Sequence, residues 1–187
     1  MTWRARAALL ALTTLACDPS RPHDDSNEEQ TGDGDPNPDA WFLMGQGELG
    51  WTEVEDGDSL LMVLGGQGLL MFPMPIRGHG FTLPENPKDY THPDIPLLDI
   101  HLDIEGFNIG FGGHFSRIAN YPIPFSILAD GTYEFVYITI FVPDELQDPC
   151  AIDGLPGELY AELDTADGDT LTWERSVVIE VPADLCN

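Results

Sequence analysis

Basic residues are what this sequence has least of. Seven Lys and Arg stand against 33 Asp and Glu in 187 residues, a formal net charge of −26. So few cations argue against a nucleic-acid partner, because binding a phosphate backbone relies on Lys and Arg. The acidic surface favours cations and basic partners instead. Long apolar runs are missing too. The stretch Ala7 to Leu15 is too short to span a bilayer as a helix, which takes about 20 apolar residues. Residues 59–76 are richer in apolar side chains, but Gly65, Gly66 and Gly68 interrupt them and Pro73 and Pro75 follow. No fixed-period repeat and no sustained i, i+3, i+4, i+7 pattern is present, which argues against a helical bundle. There is no C-x-x-C pair, no H-E-x-x-H, no phosphate loop and no nucleophile–base constellation. The zinc-ribbon, metalloprotease and nucleotide-hydrolase classes therefore have no support, and an enzyme of any class has little.

What is present is alternation. From Trp41 onward the apolar period is two almost everywhere, and 16 prolines and 19 glycines punctuate the whole chain. The pattern predicts strands over 42–49 (extended by 51–55), 59–64, 69–73, 97–105, roughly 109–116, 124–129, 132–142, 157–164 and 171–181. A long connection runs from Arg77 to Pro96. Many short strands with turn signals between them predict an all-β antiparallel sandwich. The segment ADGTYEF, residues 129–135, resembles the corner of immunoglobulin-like domains, where a Tyr after a tight turn bonds back to the preceding loop. Tyr133 would be that residue, and the closing pair of strands resembles that family as well. The expected fold is an immunoglobulin-like sandwich, with a jelly roll as the alternative. Arg175 sits on the inward row of the last strand, which points to a strand end, an edge or a buried carboxylate pair. Tyr133, Phe135, Tyr137 and Phe141 share one face of residues 132–142, opposite Val136, Ile138, Ile140 and Val142. Both faces are expected to pack, although an exposed aromatic row could stack on sugars.

The first residues read as a processing signal. Arg4 and Arg6 precede the apolar stretch, which ends in Thr14-Leu15-Ala16-Cys17. This resembles the lipobox of bacterial lipoproteins, and it departs from the usual pattern in having Thr14 where Leu is common. The resemblance implies export, cleavage after residue 16 and lipidation of Cys17, with 1–16 as signal peptide. It places the chain in the cell envelope, lipid-anchored, with the outer membrane or cell surface ahead of the inner membrane. Residues 17–40 follow as an acidic tether with almost nothing to bury, and 41–187 form the domain. That domain carries 25 acidic residues and four basic ones, Arg77, Lys88, Arg117 and Arg175. GGQGLL, after an Asp-Gly turn and an apolar strand, resembles a G-x-Q-G-G element of uncharacterised bacterial lipoproteins, over roughly residues 45–80. It implies shared architecture and no known activity.

With Cys17 lipidated, Cys150 and Cys186 remain as an even pair in an exported chain, and a disulfide is expected. It would contribute about 3–4 kcal/mol in the chain-entropy model. The stretch LLDIHLDIEG, residues 97–106, alternates with few faults. Leu98, Ile100, Leu102 and Ile104 take one face, and Asp99, His101, Asp103 and Glu105 the other. Neighbours on that second face stand about 6.5–7 Å apart, too far to chelate one small ion without help from another strand. The row is therefore either a solvated outer face or part of a cation site completed by a neighbour such as His114. Asp99, His101, Asp103 and His114 are the candidate ligands, for copper or calcium. His79 and His92 lie in the long connection. The Asp-Gly turns at 56–58, 130–131 and 167–169 suit hairpin reversal and do not fit an EF-hand loop.

Three functions follow in order. The first is a lipid-anchored envelope module that binds or adheres to a protein or glycan. The second is an envelope protein binding a divalent cation or copper. The third is a hydrolase with a site in the 77–96 connection.

Overall fold

The computed structural model describes residues 37–186. The signal peptide 1–16, the lipidation site Cys17 and the tether up to residue 36 lie outside the described residues. Eleven strands form two stacked sheets. The first sheet holds β1 (Trp41–Gln46), β2 (Thr52–Glu53), β4 (Val63–Leu64), β5 (Leu70–His79), β8 (Ser126–Ile127) and β9 (Tyr133–Phe141). Its order is β2-β1-β5-β9-β8, with β4 also against β5. The second sheet holds β3 (Ser59–Leu61), β6 (Leu97–Ile104), β7 (Ser116–Pro122), β10 (Pro156–Asp164) and β11 (Thr170–Glu180), in the order β3-β11-β10-β6-β7. The result is an all-β sandwich. Counting the seven long strands in chain order, the first, second and fifth share one sheet, and the other holds the seventh, sixth, third and fourth. This is an immunoglobulin-like plan in which the fourth strand lies beside the third, as the extra strand does in variable-type domains. It leaves the jelly-roll alternative without support. One pair departs from the expected antiparallel pattern: β3 runs parallel to β11.

The core forms where the inward rows of the two sheets meet. Leu98, Ile100, Leu102 and Ile104 from β6 pack with Phe42, Met44, Phe72, Met74, Ile76, Leu159, Trp173 and Val177, all buried. A fully buried side chain of this size contributes about 1.5–3 kcal/mol. The chain moves from the second sheet to the first between β3 and β4. Met62 sits at that step, wholly buried, with its N–H donating to the Glu180 carbonyl at 2.9 Å. The apolar run after Ser59 therefore feeds both sheets.

Four expectations change. Pro73 and Pro75 do not end a strand; they lie inside β5. On one side β4 pairs only with residues 70–71 and β1 only with 76–79. On the other side the β9 ladder breaks between Met74 and Ile76. Both prolines fall where the ladder asks least for an N–H, and strands tolerate proline at such places.

That break also reorganises β9. Met74 opposes Ile138 and Ile76 opposes Phe135, so Val136 and Tyr137 together face Pro75. This is a bulge, and it flips the faces of the strand. Tyr133 and Phe135 pack against the core before it; Ile138 and Ile140 are buried after it. Val136 is left 66% exposed and Phe141 48%. The expected single aromatic row therefore does not exist.

Residues 109–116 are not a strand. A 3-10 turn at Phe111–Gly113 replaces it, and β7 begins at Ser116. Tyr133 does bond back through its hydroxyl, but to the Phe81 carbonyl, 52 residues earlier at 3.0 Å, and not to the loop just before it.

Of the three readings of Arg175, the edge is the one that fits: at this position β11 has β10 on one side and no strand on the other among the described residues. Arg175 lies over the Trp173 ring at 5.3 Å and donates to the Glu174 carbonyl, just short of where β3 begins to pair with β11. The disulfide Cys150–Cys186 forms as expected and holds the turn Pro149–Ile152 to the end of the described chain. Asn37 ties the entry to the domain, donating from its side chain to the Gly80 carbonyl.

Candidate metal centre

β6 is paired along both sides, by β10 and by β7. With its inward row locked in the core, its outward row is held over the second sheet. His101 is opposite Tyr160 of β10 and Arg117 of β7. His114 arrives from the other direction. Phe115 is fully buried, and its N–H donates to the Leu102 carbonyl at 2.9 Å. That fixes the adjacent His114 above the β6 surface. The turn before it needs glycine twice over. A Cβ at Gly110 would stand 2.3 Å from the Phe115 carbonyl oxygen, and Gly113 has φ 83°, a region costly to residues with a Cβ.

The outcome is a cluster. His114 Nδ1 lies 3.0 Å and 3.2 Å from the two Asp103 carboxylate oxygens. His101 Nε2 is 3.7 Å from Asp103 Oδ2. One ligand atom from each of His101, Asp103 and His114 falls within 4.8 Å of the others. The imidazoles lie against each other, ring centres 4.1 Å apart, and Tyr160 lies on the far side of His101 at 5.2 Å. All three cluster residues are half-buried. Burial pulls the His101 pKa below its ordinary 6.5; His114 pulls the same way, and Asp103 opposes them. That favours the neutral form of His101, the form in which a histidine binds metal. Tyr160 donates to the Glu162 carboxylate, and that bond raises its phenol pKa. It remains a phenol and packs against the site without supplying a phenolate.

Of the four candidate ligands, then, His101, Asp103 and His114 are brought together. Asp99 is not. β7 carries a bulge opposite it, Asn120 there has φ 52°, and Asp99 accepts the Asn120 N–H. Its second oxygen lies 4.0 Å from the Arg117 guanidinium. Glu105 falls beyond the end of β6. His79 packs between Trp41 and Tyr133, with Nδ1 3.2 Å from the Gly131 carbonyl oxygen, and His92 faces Asp94; the two do not converge with the cluster.

The aspartates of the Asp-Gly turns are occupied by backbone N–H groups. Asp56 accepts from Ser176, Asp58 from Glu55, Asp130 from Thr132 and Asp167 from Thr82. Tyr160, Arg117 and Glu162 were not singled out in the sequence. Only the strand register places them beside His101, and nothing in their local sequence encodes it.

Comparison with protein-family models, with curated proteins and with solved structures finds no match to this chain. The class that fold and site define is an immunoglobulin-like β-sandwich with a two-histidine, one-aspartate cluster on the outer face of one sheet.

Proposed function

We propose that this chain is a lipid-anchored envelope sandwich acting as a binding module, and that it binds a divalent transition metal through His101, Asp103 and His114. The observation that carries the metal reading is the convergence of three ligand atoms within 4.8 Å. Two imidazoles and one carboxylate suit copper(II) or zinc, with copper(II) the tightest of the first-row divalent ions on such a set. Calcium prefers an all-oxygen shell and fits poorly here. Metal binds the unprotonated imidazoles and the ionised carboxylate, so acid competes with it and weakens binding. The surrounding charge of −26 raises the local concentration of cations. The anchoring half of the proposal rests on Arg4, Arg6 and the Thr14–Cys17 segment.

Titration calorimetry with copper(II) and zinc, joined to copper electron paramagnetic resonance, tests the metal. The expected result is one ion per chain with nitrogen hyperfine structure, lost in His101→Ala and His114→Ala and kept in His92→Ala. Binding that survives both cluster variants, or no stoichiometric uptake, overturns it. Labelled palmitate incorporated by the full chain and lost in Cys17→Ser tests the anchor separately.

A further inference from the structure

β9 has a partner on only one side for most of its length. β5 pairs along it, whereas β8 covers only Tyr133 and Glu134. The Val142 N–H donates to the Leu70 carbonyl on the β5 side. By alternation, the backbone groups of Ile138 and Ile140 turn that way too, and those of Thr139 and Phe141 turn to the open side. Among the described residues no strand pairs with them there, although the start of β7 lies across the cleft beside them. Residues 135–142, FVYITIFV, contain no charge, and an uncharged, aromatic and β-branched edge is the kind that pairs with another chain. The bulge at Val136 and Tyr137 guards the first half of this edge by twisting it. The second half is straight and unguarded.

A cleft of about 670 Å³ opens beside that second half. Leu69, Ile109, Phe111, Phe115, Phe141 and Val142 give it an apolar lining, and Arg117, whose guanidinium lies 4.0 Å from the Asp99 carboxylate, lines it too. Phe111 is 76% exposed. Asp144 and Glu145 stand at the end of the cleft where β9 finishes. At the opposite end Glu134 is already paired with Arg77 at 2.8 Å, so the free negative charge is concentrated at one end.

We propose that the 138–142 edge of β9 is a docking site for an extended peptide that adds as an antiparallel strand. Apolar residues at alternate positions would enter the cleft, and Lys or Arg near the peptide's amino end would face Asp144 and Glu145. An antiparallel strand begins where β9 ends, which puts its amino terminus beside those carboxylates. Peptides commonly add to open sheet edges in this way. A second copy of this chain is the poorer occupant. It brings the same excess of negative charge, 25 acidic residues against four basic ones from Trp41 onward, and strong like charge opposes self-association.

The test uses the full chain and the peptide Lys-Lys-(Val-Thr)3, with Glu-Glu-(Val-Thr)3 as its counterpart, read by fluorescence anisotropy and amide hydrogen exchange. The lysine peptide should bind at least tenfold more tightly than the glutamate one. It should also slow exchange at the Thr139 and Phe141 amides and leave those of Ile138 and Ile140 unchanged. Thr139→Pro removes an N–H that points to the open side, so the β5 ladder stays whole and the melting temperature stays close to that of the parent. Binding should fall at least tenfold. Peptide binding that survives Thr139→Pro is charge attraction alone and overturns the proposal, as does binding without protection at Thr139 and Phe141. Sedimentation showing a dimer that Thr139→Pro dissolves would assign the edge to a second copy instead.

Discussion

β6 and β9 occupy different sheets and use their outward residues in opposite ways. β6 is hydrogen-bonded on both sides, so its backbone is satisfied and its outer side chains are held at defined spacing. It carries the polar cluster: His101, Asp103 and, from the neighbouring turn, His114. β9 is bonded on one side beyond Glu134, and there the outer surface is apolar and the backbone itself is on offer. A fully paired strand can present side chains for chelation. A half-paired strand presents N–H and C=O groups for another strand. The comparison separates two kinds of recognition within one sandwich, one by side-chain geometry and one by main-chain pairing.

The largest expected effect that breaks this comparison is at Phe115. Phe115→Ala removes a fully buried ring and should cost about 3–5 kcal/mol in urea unfolding. Metal affinity should fall with it, because Phe115 holds His114 over β6, and peptide binding at β9 should weaken as well, because Phe115 also lines the cleft there.

Next in size is the disulfide. Replacing both Cys150 and Cys186 by Ser opens a 36-residue separation and should lower stability by about 3–4 kcal/mol. Metal and peptide affinities measured below the unfolding transition should not change, which makes this variant the control for both sites.

Gly113→Ala strains a backbone at φ 83° and should cost about 1–2 kcal/mol. A larger loss of metal affinity than of stability, seen by calorimetry, would locate its effect in the His114 turn.

A smaller effect comes from pH. The folded His101 pKa lies below its ordinary 6.5, so the folded state binds the proton less well than the unfolded one. Its contribution to stability is therefore full above about pH 6.5 and is lost as pH falls through the lower folded value. Urea melts across that range should show a slope that His101→Asn reduces, and the imidazole resonance of His101 should titrate below 6.5. Smallest of all, Val136→Thr changes a side chain that is 66% exposed and should shift stability by less than about 0.5 kcal/mol. A larger loss would mean that the bulge, and not the open edge, depends on Val136.

Much of the architecture was legible from alternation. The inward rows of β6, β10 and β11 follow the apolar residues 98–104, 159–163 and 173–179 almost position by position. A two-residue period on a paired strand with one buried face leaves little choice of side. Reading failed where that period was broken by something outside the strand. A bulge on β9 opposite Pro75 of β5 sends Tyr133 and Phe135 inward but Phe141 outward. The glycines at 110, 112 and 113 turn an apparent strand into the loop that delivers His114.

The site shows the same division. His101, Asp103 and His114 were visible as candidates, because two of them alternate on one strand and the third follows a short interval later. The loss of Asp99 to the Asn120 bulge was not visible, nor was the arrival of Tyr160 and Arg117. By itself, the sequence determined an all-β chain, its inward-facing residues and its pool of metal-binding side chains. These depend on local period and residue chemistry, which adjacent positions carry. Tertiary structure alone decided which ligands converge and which edge stays open. Both depend on register and bulges between strands far apart in the chain, and no short stretch of sequence holds that information.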